Sequence, residues 1–296
     1  MNDTTPLSPE LLAQMKRIQF RMRSLVSELF AGEYQSAFKG RGMEFEEVRL
    51  YNPGDDVRAI DWNVTARTGV PHIKLFREER ELTIMFIVDV SASMRFGTRR
   101  RFKSEVAAEV AALLAYTALR NNDKTGLIIF SDKVEHYVPP KKGHGHIWRV
   151  IRDILSYKST AVETDLSLPL DYLNRVAKRR LVAFLISDFQ GEGYDKLLKR
   201  TAKHHDLIAV NVTDPHEREM PDVGLIELRD MEGGDQMLID TGLEGTRAIW
   251  RAEVRMEKKR REYLFRMAGV EFINVETGGS VIDPIIRFFR QREKRG

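Results

Sequence analysis

Asp89-Val90-Ser91-Ala92-Ser93-Met94 puts one carboxylate and two hydroxyls on a single tight loop, directly after the almost wholly apolar run 82–88. Two more oxygen-bearing pairs stand in comparable settings. Thr164-Asp165 precedes a helical pattern starting near Leu168, and Ser187-Asp188 closes the apolar run 181–186. Hard, small cations such as Mg²⁺ take octahedral oxygen coordination at about 2.1 Å and part with their waters reluctantly. Short hydroxyls can therefore coordinate directly while carboxylates hold the waters. On this reading Ser91, Ser93 and Thr164 are direct ligands, and Asp89 and Asp188 anchor metal-bound water. So few charges beside the cation leave it electrophilic, with one position open to a Glu or Asp of a partner protein. Mg²⁺ fits this description, as would another divalent cation such as Mn²⁺ or Ca²⁺.

The bare D-x-S-x-S pattern recurs by chance in roughly one sequence of this length in ten or twenty. What gives it weight is its place at the end of a buried strand, with the Thr-Asp loop and a second strand ending in Ser-Asp further along. The plainer reading is that Asp89 and Ser91 cap a turn. An enzymatic alternative takes Asp89 as the nucleophile of a phosphoryl transfer. Such sites usually carry a second aspartate two residues on, and Ser91 stands there instead. The chain has no cysteine, which rules out disulfides, thiolate zinc sites and thiol nucleophiles. His144-Gly145-His146 and His204-His205 lack a third ligand at useful spacing. Gly143-x-Gly145 and Gly191-x-Gly193 lack the third glycine of a dinucleotide fingerprint, and no phosphate-binding P-loop or G-x-S-x-G elbow occurs. The expectation is a binding module that performs no catalysis.

The elements that must position these residues follow from hydrophobic periodicity. Runs 82–90, 126–130, 181–187 and 207–212 are apolar on both faces, as strands are in a sheet covered on both sides by helices. Amphipathic stretches 101–121, 147–157, 168–178 and 194–205 separate them. This alternation predicts an α/β fold with a doubly wound, mostly parallel sheet flanked by helices, whose ligand site lies beyond the carboxyl ends of the strands. A long charged helix 244–269 ending at glycine, a strand 270–275 and a final helix 283–295 complete it. Ser8-Pro9-Glu10 opens an N-terminal helix with Leu11, Met15, Ile18, Met22, Leu25 and Leu29 along one seam, which packs within the chain or on a second copy as a homodimer. Residues 39–81 read as a small β-rich element with a turn at Asn52-Pro53-Gly54-Asp55. There Tyr51, Trp62 and Phe76 can form an aromatic cluster over charges including Asp55, Asp56, Arg58, Asp61, Arg67 and Glu79. The expected division is 1–38 for the N-terminal helix, 39–81 for the β-rich element and 82–296 for the α/β domain with its C-terminal helices.

With 48 basic and 44 acidic side chains, the net charge of +4 is small beside the interspersed total. The basic clusters at 99–101, 178–180 and 258–261 fall at helix ends or on a solvated helical face, so nucleic acid is not an expected partner. No run approaches the roughly 18 apolar residues of a membrane span. The first residues lack a secretory signal pattern, so a cytoplasmic location is the default expectation.

The loop residues Asp89-x-Ser91-x-Ser93, Thr164 and Asp188 resemble the metal-ion-dependent adhesion site of von Willebrand factor A domains. The segment before them resembles a narrower bacterial family, domain of unknown function fifty-eight. Its signature is matched by Gly40-Arg41-Gly42-Met43-Glu44-Phe45, by Arg49 through Asn52-Pro53-Gly54-Asp55-Asp56 to Arg58, by Ile60-Asp61-Trp62, by Ala66-Arg67 and by Phe76-Arg77-Glu78-Glu79-Arg80. The resemblance runs from about Gly40 to the C-terminus. It implies a von Willebrand factor A-like fold and partnership with a MoxR-type AAA+ ATPase and its client protein in chaperone-like maturation. Members of that family are often anchored by transmembrane helices, which this sequence does not show.

Overall fold

The computed structural model describes residues 28–38, 43–78, 81–98, 101–157, 159–229 and 236–295. The first part of the expected N-terminal helix lies outside them, as do Arg99, Arg100 and Glu79. Chain order gives α1 (Glu28–Ala37), β1 (Met43–Leu50), α2 (Trp62–Thr68), β2 (His72–Glu78), β3 (Thr83–Asp89), α3 (Lys103–Arg120) and β4 (Lys124–Phe130). Then come β5 (Val134–Lys141), α4 (His144–Ser156), α5 (Ser167–Val176), β6 (Val182–Ser187), α6 (Asp195–His204), β7 (Asp206–Thr213) and α7 (Pro215–Arg218). Last are β8 (Leu225–Arg229), β9 (Gln236–Asp240), α8 (Glu244–Ala268), β10 (Glu271–Glu276) and α9 (Ile282–Glu293).

Six strands form the central sheet in the order β10-β7-β6-β3-β4-β5, parallel except for β5, which runs antiparallel to β4. This is the doubly wound, mostly parallel sheet that the apolar runs predict. Alternate residues of β3 serve opposite faces, as the two-residue side-chain period of a strand requires. Ile84, Phe86 and Val88 join a core packed under α3, α4 and α9, whereas Met85 and Ile87 join one under α5, α6 and α8. Helix α3 is rich in alanine and buried along most of its length, so it can lie close on the sheet.

Strand β5 was not legible in the sequence, because Pro139 and Pro140 break its pattern. Its place at the sheet edge explains their tolerance, since an edge strand leaves one row of N–H groups unpaired. Ahead of the sheet, β1 and β2 pair antiparallel around α2, whose N-cap Asp61 accepts from the backbone N–H of Asn63 and Val64. Trp62 is 69% exposed at the start of α2, so it is not part of an aromatic cluster with Tyr51. The charges beneath are used singly: Arg49 pairs with Asp55, Lys74 with Asp61, and Asp56 caps a short turn.

At the far end, Arg292 of α9 is 4% exposed. It pairs with Asp206 and Glu271, donates to the carbonyl of Ala37, and lies over the Phe38 ring at 4.7 Å. This contact and the Tyr34 hydroxyl on Asp123 (2.8 Å) fasten α1 to the sheet. Among the described residues no helix is long and apolar enough to cross a membrane.

Candidate metal-binding crevice

The order of the sheet reverses between β3 and β6: the chain leaves β3 for β4 on one side and β6 for β7 on the other. Sheets of this kind usually bind ligands in a crevice at the carboxyl ends of the strands beside such a reversal. β3 delivers Asp89 to that end of the sheet. The Asp89 Oδ1 atom accepts from the backbone N–H of Ser91 at 2.9 Å, which closes the loop into an Asx turn. A single turn of 3-10 helix, Ser93–Arg95, follows. The turn brings the hydroxyls of Ser91 and Ser93 into a mutual hydrogen bond of 3.2 Å in which either can donate. Asp89, Ser91 and Ser93 are all buried.

The neighbouring strand supplies the opposite wall. Ser187 Oγ donates to Asp89 Oδ2 at 2.6 Å and accepts from the N–H of Phe189 at 3.0 Å. Phe189 itself sits in the left-handed region at φ 57°, a costly conformation for a bulky residue. Packing holds it there, with its ring edge-on to Phe265 of α8 at 5.0 Å. The strained turn projects Asp188, which is buried. Asp188 Oδ1 accepts from the N–H of Gln190 at 3.2 Å, and the Asp188 carbonyl accepts from Arg261 at 3.0 Å.

Thr164 stands half-buried in the loop before α5. Arg95, in the same turn as Ser93, donates to the carbonyls of Ser159 and Ala161 in that loop at 3.2 and 2.9 Å. Asp165 Oδ1 accepts from the N–H and the hydroxyl of Ser167, the first residue of α5. The structure thus gathers Asp89, Ser91, Ser93 and Asp188 at the carboxyl ends of β3 and β6 and ties the Thr164 loop to the Ser93 turn.

The sequence reading missed Lys103, the first residue of α3, which is 0% exposed. Its Nζ lies 2.7 Å from Asp188 Oδ2 and 2.5 Å from Glu217 Oε1. Burial alone would lower its pKa, yet the charges of Asp188 and Glu217 hold it above the ordinary lysine value, so it remains an ammonium. A lysine in the first turn of a helix opposes the helix dipole, and that misfit was a readable signal. Glu217 was readable as well. Asp214-Pro215-His216-Glu217 is a capping box in which Glu217 Oε2 accepts from the N–H of Asp214 at 2.8 Å. Asp214 also accepts from the N–H of Thr98 at 3.0 Å and from the hydroxyl of Thr277 at 2.6 Å, clamping the loop before α3 to β10.

Burial first, then the charge of Asp188, push the Asp89 carboxyl well above the usual carboxylate range, against the pull of the hydrogen bonds from Ser187 and Ser91. Among the described residues no lysine, arginine or histidine pairs with Asp89. Its Oδ1 accepts from the N–H of Ser91 and its Oδ2 from the hydroxyl of Ser187. The donor set suits a small hard cation. Adjacent ligands of an octahedron with bonds of about 2.1 Å lie about 3.0 Å apart, close to the 3.2 Å between the two serine hydroxyls. No cluster of three or more His, Cys, Asp or Glu able to hold a metal exists among the described residues, so a cation here has to draw on hydroxyls. His146 is engaged elsewhere, with Nε2 at 2.8 Å from the carbonyl of Thr125.

The family model described as "Protein of unknown function DUF58" matches residues 47–260. The chain belongs to this DUF58 family. Its relatives include the uncharacterized protein Rv1480 of Mycobacterium tuberculosis, 32% identical over 291 residues, 97% of this chain and 91% of that protein. The uncharacterized protein YeaD of Bacillus subtilis is 27% identical over 107 residues, 36% of this DUF58 chain and 25% of YeaD. Similar solved structures include the conserved hypothetical protein BatB of Bacteroides thetaiotaomicron, at 17% identity, 72% of this chain, 99% of that chain and a TM-score of 0.46. Proximal thread matrix protein 1 of the mussel byssus, solved with a zinc-occupied MIDAS motif, matches at 14% identity over 45% of this chain and 38% of its own, with a TM-score of 0.36.

Proposed function

We propose that this DUF58 chain is a non-enzymatic protein-binding module that presents a divalent cation to a carboxylate of its partner. Ser91, Ser93 and Thr164 would hold the cation directly, and Asp89 and Asp188 would hold its waters. The observation that carries this reading is the pair of buried hydroxyls 3.2 Å apart above a buried carboxylate, at the point where strand order reverses. When bound, the cation supplies an electrophilic site for an acidic side chain; Mg²⁺ or Mn²⁺ suits so small a donor set better than Ca²⁺ with its six to eight ligands.

The chain's own residues do the rest. Ser187 orients Asp89, the strained Phe189 turn aims Asp188, and Arg95 holds the Thr164 loop beside the Ser93 turn. A phosphoryl-transfer role for Asp89 has less support. Such sites usually carry a second aspartate two residues after the nucleophile, and Ser91 stands there instead. The partner implied by the family resemblance is a MoxR-type AAA+ ATPase. Capture of that ATPase by immobilised chain should require Mg²⁺, and both EDTA and Ser93→Ala should abolish it. Equal capture under all three conditions would count against a metal-mediated grip.

A further inference from the structure

Lys103 carries an inference that rests on the metal reading and goes beyond it. An ammonium is costly to bury, and a fully buried one persists only where carboxylates surround it. Asp188 and Glu217 do so here, at 2.7 and 2.5 Å. Both carboxylates are also fixed from behind, Asp188 by the N–H of Gln190 and Glu217 by the N–H of Asp214. The lysine stem runs past Phe96, whose ring centre is 5.8 Å from Nζ. The ammonium therefore has one setting, and Asp188 is held in place by the protein alone. Glu217 is tied onward to α8, because its carbonyl accepts from the Trp250 indole at 2.9 Å.

We propose that Lys103 is a resident counter-charge. Paired with Asp188 and Glu217, it offsets one of the three negative charges of Asp89, Asp188 and Glu217. With Lys103 in place, a divalent cation leaves the group neutral and able to accept a partner carboxylate. Without it, the same group with its cation carries one net negative charge, which holds the cation harder and repels the incoming carboxylate. Lys103 thus trades cation affinity for grip on an acidic partner. A merely structural lysine makes no such trade, since its loss would loosen the site toward both.

The test is titration of the full chain with Mn²⁺, followed by the loss of the free-ion paramagnetic resonance signal. Acetate is then added to the loaded protein, and displacement of bound water is read from proton relaxation. Lys103→Met should bind Mn²⁺ about tenfold or more tightly than the parent and acetate several-fold more weakly, whereas Lys103→Arg should match the parent. Glu217→Gln keeps the Lys103–Asp188 pair and removes a negative charge, so it should weaken Mn²⁺ binding by about tenfold; this arm decides the matter if Lys103→Met does not fold. If the parent binds Mn²⁺ but Lys103→Met binds it equally or more weakly, or Glu217→Gln leaves binding unchanged, the proposal for Lys103 falls and the metal site stands. If the parent binds no Mn²⁺, the metal reading falls and takes this inference with it.

Discussion

Removing the Ser187 hydroxyl tests whether the crevice is built for a cation or is only well packed. Ser187 is fully buried, donates to Asp89 Oδ2 at 2.6 Å and accepts from the Phe189 N–H at 3.0 Å. Ser187→Ala therefore deletes a hydrogen bond to a buried carboxylate and leaves a buried N–H without its acceptor. Each loss costs about 1–3 kcal/mol, and because they share one atom the sum should be about 2–4 kcal/mol in urea unfolding. The carboxylate also becomes free to turn. Loss of a hydrogen bond that orients a group around a metal weakens metal affinity by about 10–100-fold. Isothermal titration with Mn²⁺ measures that second effect. Leu113→Ala, in the core on the other face of the sheet, is the matched control: it should lower stability by about 2–5 kcal/mol and leave Mn²⁺ affinity alone. If Ser187→Ala loses stability and keeps parental affinity, Asp89 is not anchoring the cation and the reasoning fails.

Two further outcomes probe the frame that holds the crevice. Arg292→Met strands Asp206 and Glu271 and should cost about 3–5 kcal/mol in urea unfolding. A loss below about 1 kcal/mol would show that α9 is not fastened through this arginine. Asp123 gives a pH signature. Burial pushes its carboxyl up to about 6 from an ordinary 3.8, against the hydrogen bonds from the Leu82 N–H and the Tyr34 hydroxyl. The folded chain thus keeps this proton longer than the unfolded chain. The stability so gained is complete below about pH 4 and is lost as pH rises through about 6, whereas Asp123→Asn has nothing to lose. Parent stability should fall relative to Asp123→Asn by about 3 kcal/mol between pH 4 and 7, and a relative rise with pH would contradict the assignment.

The sheet was readable because its strands are apolar on both faces, and β3, β6 and β7 follow the predicted runs closely. What lay hidden lacks such a period. Pro139 and Pro140 disguise the edge strand β5, and the hairpin of β8 and β9 exposes Leu225, Met237 and Leu238, so burial imposes no alternation on it. In the crevice, Asp89, Ser91 and Ser93 were legible because local spacing places them on one loop. Asp188 was legible from its strand end. Lys103 and Glu217 were not combined with them, since their meeting with Asp188 depends on how α3 and α7 dock across the sheet. The strain at Phe189 was invisible for a different reason: nothing in its residue type announces a left-handed backbone.

The most direct measurement is calorimetric titration of Mn²⁺ into the full parent chain and into the Ser91→Ala, Ser93→Ala double variant, with unfolding of both followed alongside. Binding of a single ion by the parent, and its weakening by at least about tenfold in a variant that still folds, is the predicted result. Equal binding by both chains, or none by the parent, would contradict the claim that these hydroxyls exist to hold a cation.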